Sequence, residues 1–301
     1  MARLTIRHLS YFDSLARTLH FGQAAALAGV SQPALSAQIA DMEAHLGKQL
    51  FDRSGKGVRL TTDGAELWPK VEHILQGMQE LEEGASTRRQ PLEGRFRLGV
   101  IPTIAPYLLP SLLPRLKTDF PKLKLEIVEA VTHSLIAETL SARLDALVAA
   151  LPLEQKGLVE APLFEDRFFL AIHAGDNRLV NPPVKPDHPA LEELMLLEEG
   201  HCMREQALAV CRNVKPVTMA HFGATSLTTL LQMVSHGLGV TLVPEMARNG
   251  ATAMTNVRVV PFAEPQPSRS ICLAYARNGR KQADCERLAE VLRGLDLYSQ
   301  E

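Results

Sequence analysis

Apolar side chains recur every three or four positions through the first eighty residues and give way afterwards to short apolar runs alternating with helical stretches. Leu9–Leu19 keeps its large apolar residues on one face, and Ala24–Ala28 reads as a second helix of low bulk. Gly29-Val30 makes a break. Ser31 then offers a cap, and Pro33 takes an early helical position where its missing N–H costs nothing. Leu35, Ile39, Met42 and Leu46 follow at spacings of four, three and four, one face of a third helix that Gly47 ends. Leu35 and Ile39 are expected to turn inward against Leu27. Gln49–Thr61 reads as two extended pieces around a Gly/Lys tip, a small basic wing. From Thr62 to about Glu83 a long helical pattern runs through Leu67, Val71, Ile74, Met78 and Leu81, with Pro69 expected to bend it or remove one bond. Such a stalk must bury its apolar stripe, and a second copy of itself is the economical partner. Gly84–Gly94 reads as a flexible joint.

The remainder alternates strand and helix patterns. Strands are expected at Arg95–Ile101, Lys124–Glu129, Ala146–Ala149, Phe168–Ile172, Leu194–Leu197, Gly239–Pro244, Val257–Val260 and Ser270–Tyr275. Helices are expected at Tyr107–Phe120, Ser134–Ala142, about 203–211, 226–235 and 281–293. The alternation implies right-handed crossovers and a mostly parallel sheet. The fold class is therefore α/β with an N-terminal all-α head. Periodicity leaves open whether the α/β body is one domain or two lobes around a cleft.

A length of 301 residues suggests two domains, or three with one small. The 46% hydrophobic and 22% charged composition excludes wholesale disorder, and the apolar runs are too short to span a bilayer. The N-terminus lacks the pattern of a secretory leader, and four cysteines are too few to staple the chain. A reducing, cytoplasmic setting is expected. Residues 1–60 carry seven Lys/Arg against four Asp/Glu, whereas 61–90 carry three against six. A modestly positive head suits phosphate contact without establishing it.

Helix, four-residue break and helix with a polar first turn is the pattern that enters a DNA major groove. Ser31, Gln32, Pro33, Ser36 and Gln38 lie where base edges or phosphates would be met, with Arg53, Lys56 and Arg59 on the wing for the phosphate backbone. The plainer reading of these residues is a solvated helical hairpin. Farther along, Cys202 and Cys211 bracket good helix formers. If that stretch is helical, the two Cα atoms lie about 13 Å apart, beyond the roughly 4.4–6.8 Å of a disulfide. Oxidation would then require unwinding. Cys202 also falls at a helix start, where unpaired N–H groups favour an anion. Spacing leaves three readings open: inert packing cysteines, a redox pair, or a metal site with His201. Cys272 and Cys285 read as packing residues.

Residues 21–64, FGQAAALAGVSQPALSAQIADMEAHLGKQLFDRSGKGVRLTTDG, resemble the winged helix-turn-helix head of LysR-type transcriptional regulators, and GLGVTLVPE at 237–245 is similar to a segment of their effector domains. Ala40 and Asp41 depart from the basic residues often found on such heads. LEEGHCMREQALAVC (197–211), HFGATSLTTL (221–230) and residues 99–133 further resemble the peroxide-sensing regulators of that family. The resemblance implies a winged helix-turn-helix domain over 1–60, a dimerising linker helix and hinge over 61–90, and a redox-sensing domain over 91–301. That last part would have two lobes like periplasmic binding proteins, lobe I at 91–164 and 269–301 and lobe II at 165–268. It implies that Cys202 reacts with peroxide and Cys211 becomes its disulfide partner. Thr103, Thr132, His201, His221 and Arg269 would form the peroxide pocket. Gly223 departs from the family's arginine. Implied partners are promoter double-stranded DNA, RNA polymerase when activating, a homodimer assembling as a homotetramer, and a glutaredoxin or thioredoxin reductant. No cofactor, resident metal or membrane is expected. Competing functions are a LysR-type regulator of a small organic effector, a thiol peroxidase, and a solute receptor.

Overall fold

The computed structural model describes residues 4–55, 57–84, 90–177, 182–211, 224–279 and 281–298. They belong to two units, Met1–Arg89 and Gln90–Glu301. In the first, α1 (Ile6–Thr18), α2 (Phe21–Leu27) and α3 (Gln32–Leu46) precede a two-stranded antiparallel wing, β1 (Phe51–Gly55) and β2 (Gly57–Leu60), and the long helix α4 (Thr62–Gly84). The Ser31 hydroxyl caps α3 by accepting from the Ala34 N–H at 3.4 Å. Gly47 closes it in the left-handed region (φ 66°), where a side chain would be strained.

Phe12, Leu15, Leu35, Ile39, Met42 and Leu50 form the core of this unit, with Phe12 and Phe51 ring centroids 5.3 Å apart. The expectation that Leu35 and Ile39 pack on Leu27 is corrected: Leu27 is 69% exposed. Helix α2 buries Ala24 and Ala25 instead, and Leu27 lies about 200° around the helix from Ala25 at 100° per residue. A second correction concerns α4. Val71 is fully buried in the head core, and Leu67, Trp68 and Leu75 pack on it, so the first half of the stripe already has a partner. Ile74 (48%), Met78 (38%) and Leu81 (64%) remain exposed at spacings of four and three. The helix is continuous through Pro69.

The second unit carries β3 (Gly94–Val100), α5 (Ala105–Asp119), β4 (Leu123–Glu129), α6 (Thr132–Leu140), β5 (Ala146–Ala150), β6 (Leu158–His173), α7 (Cys202–Val210), α8 (Leu227–Ser235), β7 (Thr241–Pro244), α9 (Arg248–Thr252), β8 (Val257–Pro261), β9 (Ser268–Ala276) and α10 (Gln282–Arg293). The strands pair in the order β4-β3-β5-β9-β6-β7, with β8 also on β6. Among the described strands only β3–β4 and β3–β5 are parallel; every strand pairing made by β9 or β6 is antiparallel. The expected mostly parallel sheet is thereby corrected.

The cause is β6. This single 16-residue strand pairs with β9 over Leu158–Arg167 and then with β7 and β8 over Phe168–His173. Its second half is a continuous apolar run and announces itself. The first half alternates apolar with charged residues around Pro162, and a register shift follows between Pro162 and Phe164. The strand crosses between two apolar clusters, one around Phe96, Leu98, Val148 and Leu273, the other around Phe168, Leu170, Leu191 and Val243. Two lobes within one unit are the result. Leu194 and Leu197 form isolated bridges to Val240 and Ala224 in place of the expected short strand. Among the described residues no helix is long and apolar enough to cross a membrane.

Candidate functional site

Helix α7 begins at Cys202 and ends at Val210, with Cys211 as its C-terminal cap, whose N–H donates to the Ala207 carbonyl at 3.2 Å. Both cysteines are free thiols. Their surroundings differ. Cys202 is half-buried and packs on the first-lobe cluster, whereas Cys211 is buried inside the second-lobe cluster. Burial pushes the Cys211 thiol up to about 11. The helix thus holds one sulfur against the first lobe's core and the other inside the second's, at its opposite ends.

The approach to Cys202 is shaped by Gly200, in the left-handed region at φ 92°. A side-chain carbon there would lie 3.7 Å from His133 Cε1 and 4.0 Å from Val131 Cγ1. The segment before Cys202 therefore runs alongside the residues flanking Thr132. His201 is buried, and that burial holds its imidazole below the ordinary histidine range against the opposing pull of Glu198. Its side chain does not cap α7.

Thr132 is the first residue of α6, and its Oγ1 is buried with no hydrogen-bond partner among the described residues. Buried hydroxyls are nearly always paired, so such a group marks a place where something polar can bind. Thr103 is buried too, and its Oγ1 accepts from Arg269 Nη1 at 3.0 Å while its carbonyl accepts from Nη2 at 3.2 Å. Neither threonine caps the helix that follows it. Arg269 is buried rather than a surface residue, and its Nε donates to Asp166 Oδ2 at 2.9 Å. Tyr107, on α5, packs on both lobe clusters; burial raises its phenol, offset in part by the Arg269 charge.

Cys272 lies in β9 and Cys285 in α10; both are buried, and burial pushes their thiols up, Cys272 to about 12. They sit in the first-lobe core as packing residues. No group of three or more His, Cys, Asp or Glu side chains is arranged to hold a metal among the described residues. His221 and Gly223 lie outside the described residues, as does Lys56 on the wing.

On the head, Ser31, Gln32 and Pro33 are exposed at the start of α3, with Ser36 and Gln38 half-buried one turn on. Arg59 is exposed on β2. Arg53 is also exposed but engaged: it pairs with Glu43 Oε2 at 2.9 Å and lies 5.1 Å over the Phe21 ring. Glu43 Oε1 in turn accepts from the Leu50 and Phe51 N–H groups, which fixes the root of the wing against α3. Asp41 is matched by His8, whose Nε2 lies 3.2 Å from its carboxylate.

The sequence pattern of the LysR substrate binding domain matches residues 89–296, and that of the bacterial regulatory helix-turn-helix proteins of the lysR family matches residues 6–65. The DNA-binding transcriptional dual regulator OxyR of Escherichia coli K12 is 38% identical over 291 residues, covering 96% of this chain and 95% of that protein. This chain belongs to the LysR family, as a regulator of the OxyR type.

Two solved OxyR structures extend the likeness to three dimensions. A full-length Pseudomonas aeruginosa OxyR with one cysteine replaced by aspartate superposes with a TM-score of 0.75 at 32% identity, covering 98% of this chain and all of that one. A hydrogen-peroxide-bound Corynebacterium glutamicum OxyR with a cysteine-to-serine substitution gives 0.66 at 32% identity, covering 97% and 94%. The winged helix-turn-helix head and the two-lobed, periplasmic-binding-protein-like body are thus the OxyR architecture. Within this OxyR-type chain, sequence reasoning missed Asp166 and Tyr107. Asp166 stands in the half of β6 before the expected Phe168–Ile172 strand, and nothing in its local sequence signals a buried carboxylate.

Proposed function

We propose that this LysR-family regulator senses hydrogen peroxide through Cys202 and converts the signal into a Cys202–Cys211 disulfide that reshapes its regulatory unit. The observation that carries the reading is the placement of the two thiols at opposite ends of one intact helix, Cys202 half-buried against one lobe's core and Cys211 buried inside the other's.

In the first step the Cys202 sulfur, as thiolate, attacks one peroxide oxygen. An S–O bond forms, the O–O bond breaks, and the departing hydroxide takes a proton to become water. In the second, the Cys211 sulfur attacks that sulfur; an S–S bond forms, the S–O bond breaks, and a second water leaves. Two thiols are oxidised by two electrons and one peroxide is reduced to two waters. The unpartnered Thr132 hydroxyl and the Arg269-bonded Thr103 hydroxyl would supply polar contacts for the peroxide oxygens, with the buried His201 next to Cys202; His221, assigned to the same task by resemblance, lies outside the described residues. The second step cannot occur in the reduced fold. Nine residues of helix separate the Cα atoms by about 13 Å, and burial, which raises the Cys211 thiol to about 11, further lowers the thiolate fraction available for attack.

The head would present Ser31, Gln32, Pro33, Ser36 and Gln38 to promoter DNA, with Lys56 and Arg59 on flanking phosphates and Arg53 bracing the wing through Glu43. The exposed Ile74, Met78 and Leu81 stripe supports a dimer through α4, two of which would form a tetramer. The setting would be cytoplasmic, where glutaredoxin or thioredoxin reverses the disulfide and RNA polymerase answers the activated form.

Treatment of the reduced chain with one equivalent of peroxide is expected to remove two hydrogen atoms by intact mass, with the loss localised to a cross-linked peptide pair carrying Cys202 and Cys211. An unchanged mass, or oxidation confined to other cysteines, would sink the reading in favour of an organic effector.

A further inference from the structure

We propose that Asp166 is a positioning residue for the peroxide reaction, anchoring Arg269 so that the Thr103 hydroxyl is held as a donor toward the bound oxidant. The proposal rests on the proposed function, in which Cys202 is the peroxide-reactive thiol and Thr103 lines its peroxide pocket.

Asp166 and Arg269 stand opposite each other across the β6–β9 ladder, and both side chains are wholly buried. Each carboxylate oxygen has a task. Oδ2 accepts from Arg269 Nε at 2.9 Å, and Oδ1 accepts from the Met246 N–H at 3.1 Å, in the turn after β7. The carboxylate is therefore held by the turn after β7 while it grips an arginine that reaches Thr103. From that grip the guanidinium presents Nη1 to Thr103 Oγ1 and Nη2 to the Thr103 carbonyl. The planar fork fixes both bonds at once.

The consequence for Thr103 is directional. A hydroxyl has one hydrogen to give, and an oxygen that accepts from a cation directs its own O–H elsewhere. Arg269 thus commits Thr103 to donating, which is what a departing peroxide oxygen requires as negative charge gathers on it. Stability alone does not call for this arrangement, because a buried ion pair is commonly matched or bettered by apolar residues of similar volume. What the pair supplies is a fixed orientation in a water-excluded place.

Two reagents separate positioning from simple support in the full-length chain. Peroxide oxidation of Cys202 needs the donor; alkylation by iodoacetamide needs only an accessible, ionisable thiol. Asp166→Asn is expected to slow oxidation on the order of tenfold or more while alkylation of the same cysteine stays within about twofold. In a Thr103→Val background the same change should lower the peroxide rate no further, since the group it orients is gone. Equal losses with both reagents, or independent losses in the double variant, would overturn the proposal. Should Asp166→Asn fail to fold, Asp166→Leu with Arg269→Met removes both buried charges together. Selective loss of peroxide reactivity in that protein supports the clamp; oxidation at the parent rate overturns it. Peptide mapping of the unsubstituted chain keeps the two readings apart: peroxide modification at a cysteine other than Cys202 defeats the functional assignment and the Asp166 argument with it, whereas modification at Cys202 with no selective effect of Asp166→Asn defeats the Asp166 argument alone.

Discussion

Cys202→Ser is expected to abolish the peroxide-dependent change in DNA footprint while leaving basal DNA binding in place. A serine hydroxyl does not attack peroxide near neutral pH, so the S–O bond never forms and no later step follows. The head that would meet DNA is a separate unit with its own core, and Cys202 has no part in that core. Cys211→Ser should also lose the footprint change, for a different reason. Its Cys202 still becomes a sulfenic acid, which a dimedone probe would trap, but no second sulfur closes the bond. The two variants therefore share one phenotype on DNA and differ completely in dimedone labelling. A peroxide-dependent footprint in the Cys202→Ser protein would end the assignment.

The second large effect concerns the helix between the sulfurs. Ala209 is exposed near the end of α7, so replacing it changes helix stability with little change in packing. Ala209→Gly weakens a helix by about 1 kcal/mol, roughly a fivefold gain in the opened population. Ala209→Pro costs about 3 kcal/mol, on the order of a hundredfold, by removing one backbone bond and crowding the preceding turn. If unwinding gates disulfide closure, the sulfenic acid should convert to disulfide faster in that order, until the first chemical step becomes limiting. Quenched-flow trapping with dimedone reads the conversion directly. Closure rates indifferent to both substitutions would mean that the helix is not the gate.

Much of this arrangement was legible along the chain because its physics is local. The Ser31 cap, the α3 face of Leu35, Ile39 and Met42, and the Gly47 terminus each depend on neighbours within one or two turns. The two cysteines were legible for the same reason: the helix between them is set by its own residues, and its length follows from their count. What escaped depends on partners distant in sequence. Leu27 has the right period to be buried, yet Ala24 and Ala25 form the packing face of so short a helix. The first half of β6 was hidden because its charged positions are paired or exposed only once β9 lies beside it. Arg53 reads as a free phosphate contact until Glu43, ten residues earlier, is found against it. Asp166 is the extreme case, since its meaning comes from an arginine 103 positions away.

Hydrogen exchange across residues 203–210, measured in reduced protein and after peroxide, tests the switch most directly. The account predicts slow-exchanging amides in the reduced form, their loss once the Cys202–Cys211 bond is made, and their return on reduction. A cross-linked protein that keeps those amides protected would contradict it, because the bond would then have formed around an intact helix.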